Sequence, residues 1–328
     1  MTRVKRLALA SLLVLLAVPA ALAGAATSAP ALRGFTAWTA AGTRLGFVAA
    51  SVSGRRGYLW TQGFGTAQPR LLRTSPPIGL EEVDELAPGP KGSWAALERT
   101  AGNTGSSDSV DVVSSRGGGA RVVTGGTIPH LVGDGTFVGY LAVTPAGDVR
   151  LYRIEGARAT LVATLDGVAA PQQAAASNGN LAIRQANGDV AVFTLGGTPL
   201  ATIHARAASV ALTSNRVVVR TRDRRLVVYG LRGGLLHDWK LGGASWTSGL
   251  AAYGRYAVYL GANKALHAVR LADGRDRIVA RAGAGWFFDG ASLQAPGAVV
   301  PLTTRRGSVF TVTLRFLPTA TLAKALSR

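Results

Sequence analysis

An all-β fold of the β-propeller type, with seven blades of four antiparallel strands, is the architecture this sequence predicts, and six and eight are the adjacent counts. Three observations lead there. A short alternating pattern recurs about every 40 residues, the 328-residue chain carries 42 glycines and 14 prolines with one methionine, and no long helical stripe separates the copies. Valine, leucine and threonine dominate between the turns, which suits pleated strands better than helices.

The first residues stand apart from the repeat. Arg3, Lys5 and Arg6 precede an apolar run from Leu7 to about Ala23, and Ala21, Leu22 and Ala23 stand ahead of Gly24. A positive head, a short apolar core and a small-x-small site describe a secretory signal peptide over 1–23. The competing reading is an uncleaved anchor, because the run is close to the length of a membrane span. Pro19 and the alanines after it favour cleavage, so the membrane is expected to be met only through this leader. A linker over 24–33, a propeller over 34–318 and a C-terminal tail or closing segment over 319–328 complete the expected organisation. The mature chain is expected outside the cytoplasm, secreted or held at the cell envelope. It contains no cysteine, so packing alone must hold it there.

The copies can be taken in chain order. They are "GYLWTQG" at 57–63, "SVDVVSS" at 109–115, "DVRLYRI" at 148–154, "DVAVFTL" at 189–195, "RLVVYGL" at 225–231, "ALHAVRL" at 265–271 and "SVFTVTL" at 308–314. Matched positions Val113, Tyr152, Phe193, Tyr229, Val269 and Val312 are 36 to 43 residues apart. A turn and a strand precede each well-matched copy, as in "SNGNLAIRQANG" and "YGRYAVYLGAN". A tight turn and a further strand follow, as in "TPLATIHA" and "DRIVARA". With a short entry segment this makes four strands per unit, which is the content of a propeller blade. Paired β-sandwiches would also supply strands and turns, but nothing in them demands self-similarity at this period. For the last copy, the fourth strand is sought in 319–323 or in the residues before Gly34. Ala320 to Ser327 could otherwise form a short amphipathic turn or two. "GFTAW" at 34–38 reads as an inner or a closing strand.

The strand, tight turn, strand pattern of "LVVYGLRGGLLHDWKLGG" at 226–243 and "LHAVRLADGRDRIVARAG" at 266–283 resembles the repeats of quinoprotein-type and related secreted bacterial propellers. Only Trp239 falls near the tryptophan that ends each unit in that family, and the Trp-Asp ending of WD-type repeats is absent. The resemblance implies a fold, and such folds host binders and enzymes alike. A quinone-dependent dehydrogenase ranks last among the functions, because such enzymes often carry a cysteine pair beside the cofactor.

Motifs with defined chemistry are few. His130, His204, His237 and His267 are isolated from one another and lack zinc spacing. No nucleophile elbow, phosphate-cradling loop or calcium loop is present, and no cofactor is indicated. "ADGRDR" at 272–277 reads as a strand connection turning on Asp273 and Gly274. In this topology the connections after second and fourth strands share one face. The longest are read at 74–85 and 99–109, with 166–173, 242–247 and 282–290 opening on the same side. Long loops on a rigid scaffold are where binding sites gather. Candidate ligand contacts on that face are Glu81, Glu82, Asp84, Glu85, Arg99, Asn103, Asp108, Gln172, Trp246, Trp286 and Asp289.

The acidic group Glu81, Glu82, Asp84 and Glu85 reads either as a cation site or catalytic carboxylate pair, or as an acidic loop answering surface arginines. Trp246 and Trp286 could floor a sugar or pack between blades. The net charge is +19, leaving +16 without the three leader cations, and 31 of the 36 basic residues are arginine. Such a field draws anionic partners. The densest run, 216–225, places Arg216, Arg220 and Arg222 at even spacing, read as blunting a solvent edge in preference to the alternative, a polyanion site. No nucleic-acid recognition motif is present. The expected function is therefore a monomeric, non-catalytic exported binding module. Its partner is an anionic cell-wall polymer, a glycan or an exported protein, met through the long-loop face. The alternative is a propeller enzyme of lactonase, lyase or glycosidase type.

Overall fold

Strands that alternate apolar and polar residues between glycine turns can bury themselves only by stacking, and the structure shows how these do so. The computed structural model describes residues 33–327 except 42–43, 51–55, 64–69, 78–80, 103–104, 115, 125–126, 242–248, 262–264, 289 and 307–308. Side chains are described from Asp84 onward, except also at 99–102, 105–107, 124, 287, 303, 305–306 and 309–314. The proposed leader and linker up to residue 32 lie outside the described residues.

Six sheets are plain antiparallel meanders of four strands in sequence order. The first holds β1 (Arg33–Ala41), β2 (Arg44–Ala50), β3 (Arg56–Gly63) and β4 (Arg70–Pro77). The second holds β5 (Glu81–Pro88), β6 (Trp94–Gly102), β7 (Gly105–Val113) and β8 (Gly119–Thr124). In the third are β9 (Leu131–Gly133), β10 (Val138–Val143), β11 (Val149–Glu155) and β12 (Arg158–Thr164). The fourth has β13 (Pro171–Ser177), β14 (Asn180–Gln185), β15 (Val190–Thr194) and β16 (Pro199–Ile203). The fifth comprises β17 (Ala207–Leu212), β18 (Arg216–Thr221), β19 (Arg225–Gly230) and β20 (Leu235–Lys240). The sixth comprises β21 (Ala251–Tyr253), β22 (Tyr256–Leu260), β23 (Ala265–Arg270) and β24 (Asp276–Arg281).

The last sheet breaks the pattern. It contains β25 (Trp286–Phe288), β26 (Ser292–Gln294), β27 (Gly297–Arg306) and β28 (Val309–Pro318). β27 pairs with β28 along its whole length, and with β25 and β26 at different registers. A strand has two edges, so β25 and β26 are two pieces of one broken first strand, and this sheet is three strands deep. The regular four-strand repeat is therefore six-fold, against the seven expected. No strand forms at 319–323: Thr319–Ser327 is a helix, α1. Leu322 and Leu326 of α1 are buried in one cluster with Ala280, Phe288, Leu293, Val300 and Leu317. The amphipathic C-terminal turns read from the sequence are this helix.

The seven third-strand copies read from the sequence fall on β3, β7, β11, β15, β19, β23 and β28. Apolar layers lie between neighbouring sheets rather than in one central core. Val217 and Val219 join Val190, Val192 and Val210 on the side of the fourth sheet, whereas Val218 joins Val228, Ala257, Tyr259 and Val269 on the side of the sixth. A strand buried on both faces needs an unbroken apolar run, which is why "RVVV" does not alternate. First strands touch in order: β1 with β5, β5 with β9, β9 with β13, β13 with β17, β17 with β21, β21 with β26, and β26 with β1.

Three expectations require correction. The stretch 74–85 is no long loop, because β4 runs to Pro77 and β5 begins at Glu81. Pro76 and Pro77 read as loop but lie on an outer strand, beside an irregularity in its pairing with β3, and edges and bulges are where a strand tolerates proline. The stretch 99–109 is likewise the end of β6 and the start of β7, paired from Trp94 with Val113 to Gly102 with Gly105. Its glycines and serines mark a tight hairpin rather than an open loop. The arginines of 216–225 do not blunt an edge, since β18 lies between β17 and β19. Arg220 is 2 % exposed, and Arg216 donates from Nη1 to the Leu271 carbonyl at 3.3 Å.

Candidate functional site

Each first strand pairs with only one neighbour, and the first strands of the second to sixth sheets, with β26, surround a cavity of about 1050 Å³. Its walls are small residues such as Ala174, Ala176, Ala211, Ala252 and Ser214. The described lining residues include three carboxylates, Asp84, Glu85 and Asp134, and neither lysine nor arginine. In a chain of net charge +19, the described lining of this cavity thus holds no positive side chain.

A recurring irregularity places the residues at the start of this lining. The pairing of first with second strand skips one residue between Val83 and Glu85, between Pro171 and Gln173, and between Ala207 and Ser209. Asp84 and Gln172, two of the candidates, are therefore the bulged residues of the second and fourth sheets, and both are exposed. A bulge re-aims the following side chain. Glu85 then accepts the Leu131 N–H at Oε2 (3.0 Å) and lies 3.4 Å from His130 Nδ1, both next to or on the first strand of the following sheet. Gln173 does the same with Val210, accepting its N–H at 3.0 Å and donating to its carbonyl at 3.1 Å. These side chains are sheet-to-sheet ties.

Asp134 is a third tie. Its Oδ1 accepts from the Thr136 amide and hydroxyl and from the Phe137 amide, and its Oδ2 accepts the Gly179 N–H at 2.9 Å. Burial alone would raise its pKa, but the bonds from Gly179, Thr136 and Phe137 together bring it below the usual value. Among the described residues, no group of three or more His, Asp or Glu side chains is placed to hold a metal ion.

The other candidates share one end of the sheets, where first strands begin and second strands meet third strands. Glu81, Glu82 and Arg99 fall there, with Glu82 opposite Arg99 in the ladder. Asp108 is fully buried on β7 and accepts the Ile128 N–H at 2.7 Å, bracing the segment that leads to β9. Trp286 is half-buried at the start of β25. Asn103, Trp246 and Asp289 lie outside the described residues.

Two buried polar clusters escaped the sequence reading. In the second sheet, Arg121 bridges Glu98 and Asp111, both almost fully buried. Between the fifth and sixth sheets, Tyr259 donates to Asp276, His267 Nδ1 lies 2.9 Å from Asp276 Oδ1, and the Tyr259 and His267 rings stack at 4.7 Å. Burial, with the bond to Asp276, pushes the Tyr259 hydroxyl far above its ordinary value, so it stays protonated as a donor. Aligning the third residue of the copies would have signalled both, since Asp111 and His267 occupy the slot that holds Ala191 and Val227 elsewhere.

No protein-family model matches the sequence, and no curated protein matches it either. Solved structures do. The WD40 propeller Sqt1 of Saccharomyces cerevisiae superposes with a TM-score of 0.55 at 12% identity, over 86% of this chain and 85% of that one. The computationally designed Ika8 protein gives 0.57 at 14%, over 87% and 97%. PorZ of Porphyromonas gingivalis, a surface component of the type-IX secretion system, gives 0.52 at 14%, over 88% of this chain and 38% of PorZ. At these identities the likeness speaks for the fold: the chain is a β-propeller built of repeated four-stranded antiparallel sheets.

Proposed function

We propose that the protein is an exported binding scaffold that holds an anionic partner, a wall polymer or acidic glycan or an exported protein, on the face where first strands begin. The last sheet completes the ring in this reading, making a seventh blade through the contact of β26 with β1. The observation that carries the proposal is the distribution of charge. A net +16 without the leader rests on a scaffold whose described cavity lining contains no cation, which favours a positive field on the outer surface. Glu81, Glu82, Asp84, Gln172 and Trp286 stand at the face concerned, and Asn103, Trp246 and Asp289 are the further proposed contacts. PorZ, of similar fold, is a bacterial surface component, in keeping with export here. No described helix is long and apolar enough to cross a membrane.

The enzymatic alternative needs a free carboxylate at the cavity mouth, whereas Glu85 is tied to Leu131. The test is retention of the mature protein on anionic wall polymer and on neutral glycan across a salt series. Retention by the anionic matrix that weakens steeply with salt supports the proposal. Absence of retention at low salt overturns it.

A further inference from the structure

Three arginines meet on the face just described, contributed by three separate segments of the fourth and fifth sheets. Arg184 stands near the end of β14, with its Nη2 donating to the Gln172 carbonyl at 3.4 Å. Arg206 lies in the connection from β16 to β17, and Arg222 begins the turn from β18 to β19. Backbone contacts fix these segments against one another. The Arg222 amide donates to the Arg206 carbonyl at 3.2 Å, and the Ala207 amide donates to the Gly188 carbonyl at 2.7 Å. Gly188, at φ +91°, is required here, because a Cβ would come within 3.0 Å of the Arg206 Cα.

The nearby carboxylates are already committed. Asp189 is held by Asn187 and by His204, and Asp238 by Arg225. Asp223 is bonded by Thr221 and faces Arg225 and Arg206. Neither Arg184 nor Arg222 forms an ion pair among the described residues, and Arg184 Nε is buried without a hydrogen-bond partner. Burial and repulsion from Arg222 lower the pKa of Arg184. Like charges pressed together at a surface are a cost to the fold, and an oxyanion placed among them removes that cost.

We propose that Arg184, Arg206 and Arg222 form a subsite for the phosphate groups of a phosphodiester-type polymer. This rests on the preceding proposal and names the anion. A phosphodiester polymer repeats a full charge on successive tetrahedral phosphorus centres, so neighbouring groups can meet guanidinium forks arriving from three segments, and each group offers two charged oxygens to one fork.

The test measures binding of linear polyphosphate, of polygalacturonate matched in charge, and of phosphatidylglycerol–phosphatidylcholine vesicles to the mature protein. Three variants are compared with it. R184Q/R222Q removes the pair, R206Q/R222Q changes only exposed positions, and R153Q/R277Q removes two arginines from the opposite end of the sheets. Polyphosphate affinity is expected to fall by about tenfold or more in the first two variants, with the salt slope reduced by about two units. The R153Q/R277Q pair is expected to change it little. An equal loss in R153Q/R277Q overturns the subsite and leaves the scaffold reading intact. So does tighter binding of polygalacturonate or of vesicles than of polyphosphate. Failure of every polyanion to bind at low salt overturns both.

Discussion

The fifth sheet and the last sheet solve the same problem with different means. In the fifth, β17 to β20 form a full meander, and each face of β18 is buried against a neighbouring sheet. In the last, the first strand is broken into β25 and β26, no fourth strand follows β28, and α1 supplies Leu322 and Leu326 to the layer shared with the sixth sheet. The difference teaches that a regular copy covers its layers with four strands, while the final copy, which touches the sixth sheet and the first, draws part of its layer with the sixth from a helix. Losses at that helix therefore have no fourth strand to make them up.

The largest expected effect follows from this. Ending the chain after Pro318 removes both buried leucines and exposes their layer, and should lower stability by more than either point change. Leu322→Ala alone should cost about 2–5 kcal/mol, read from chemical denaturation. The comparison is sharpened by Val218→Ala in the fifth sheet, whose two neighbouring sheets remain in place. Should truncation leave the unfolding midpoint unchanged, the helix is not a structural member.

A smaller effect is expected at the turns. Gly274 has φ +71°, and an added Cβ would collide with the Trp239 ring, whereas Gly156 has φ +60° with nothing within 4 Å. Gly156→Ala should cost about 1–2 kcal/mol for the left-handed backbone alone. Gly274→Ala should cost more, through the clash that joins the sixth sheet to the outer strand of the fifth. Equal costs would show that Trp239 yields freely.

Gln173→Ala should cost about 1–3 kcal/mol, since it leaves the Val210 amide and carbonyl without their side-chain partner. Thermal unfolding of Gln173→Ala beside Gln172→Ala isolates the tie, because the exposed Gln172 is expected to change stability little. The smallest effect concerns pH. The pKa of Asp134 is lowered on folding, so its contribution is present above the ordinary carboxylate range and is lost as pH falls through the folded value. The stability gap between the wild type and Asp134→Asn should thus be constant near neutrality and shrink below about pH 4. A gap that widens in acid would contradict the bonding of Asp134 to Gly179.

Much of the fold was legible because the third strands are the most regular element, and "DVAVF" or "RLVVY" announces a buried strand wherever it occurs. The last sheet was less legible, since β28 carries the same pattern as its relatives and only the segment after it differs. The candidate site was legible in part. Asp84 and Gln172 stand out as polar residues, but the bulge that unites them comes from pairing between strands, which no local pattern encodes. Glu85 reads as an acidic loop residue, and Asp134 carries no signal of its own, because their partners, the amides of Leu131 and Gly179, lie on the following sheet. Arg184, Arg206 and Arg222 lie 22 and 16 positions apart in the sequence, and only the stacking of the fourth and fifth sheets brings them together.

Native-state hydrogen exchange, with and without residues 319–327, tests the contrast between the two sheets most directly. Removal of α1 should deprotect the amides of β27 and β28 first and leave those of β18 and β19 slow. Uniform protection that survives the truncation, or loss that begins in the fifth sheet, would contradict it.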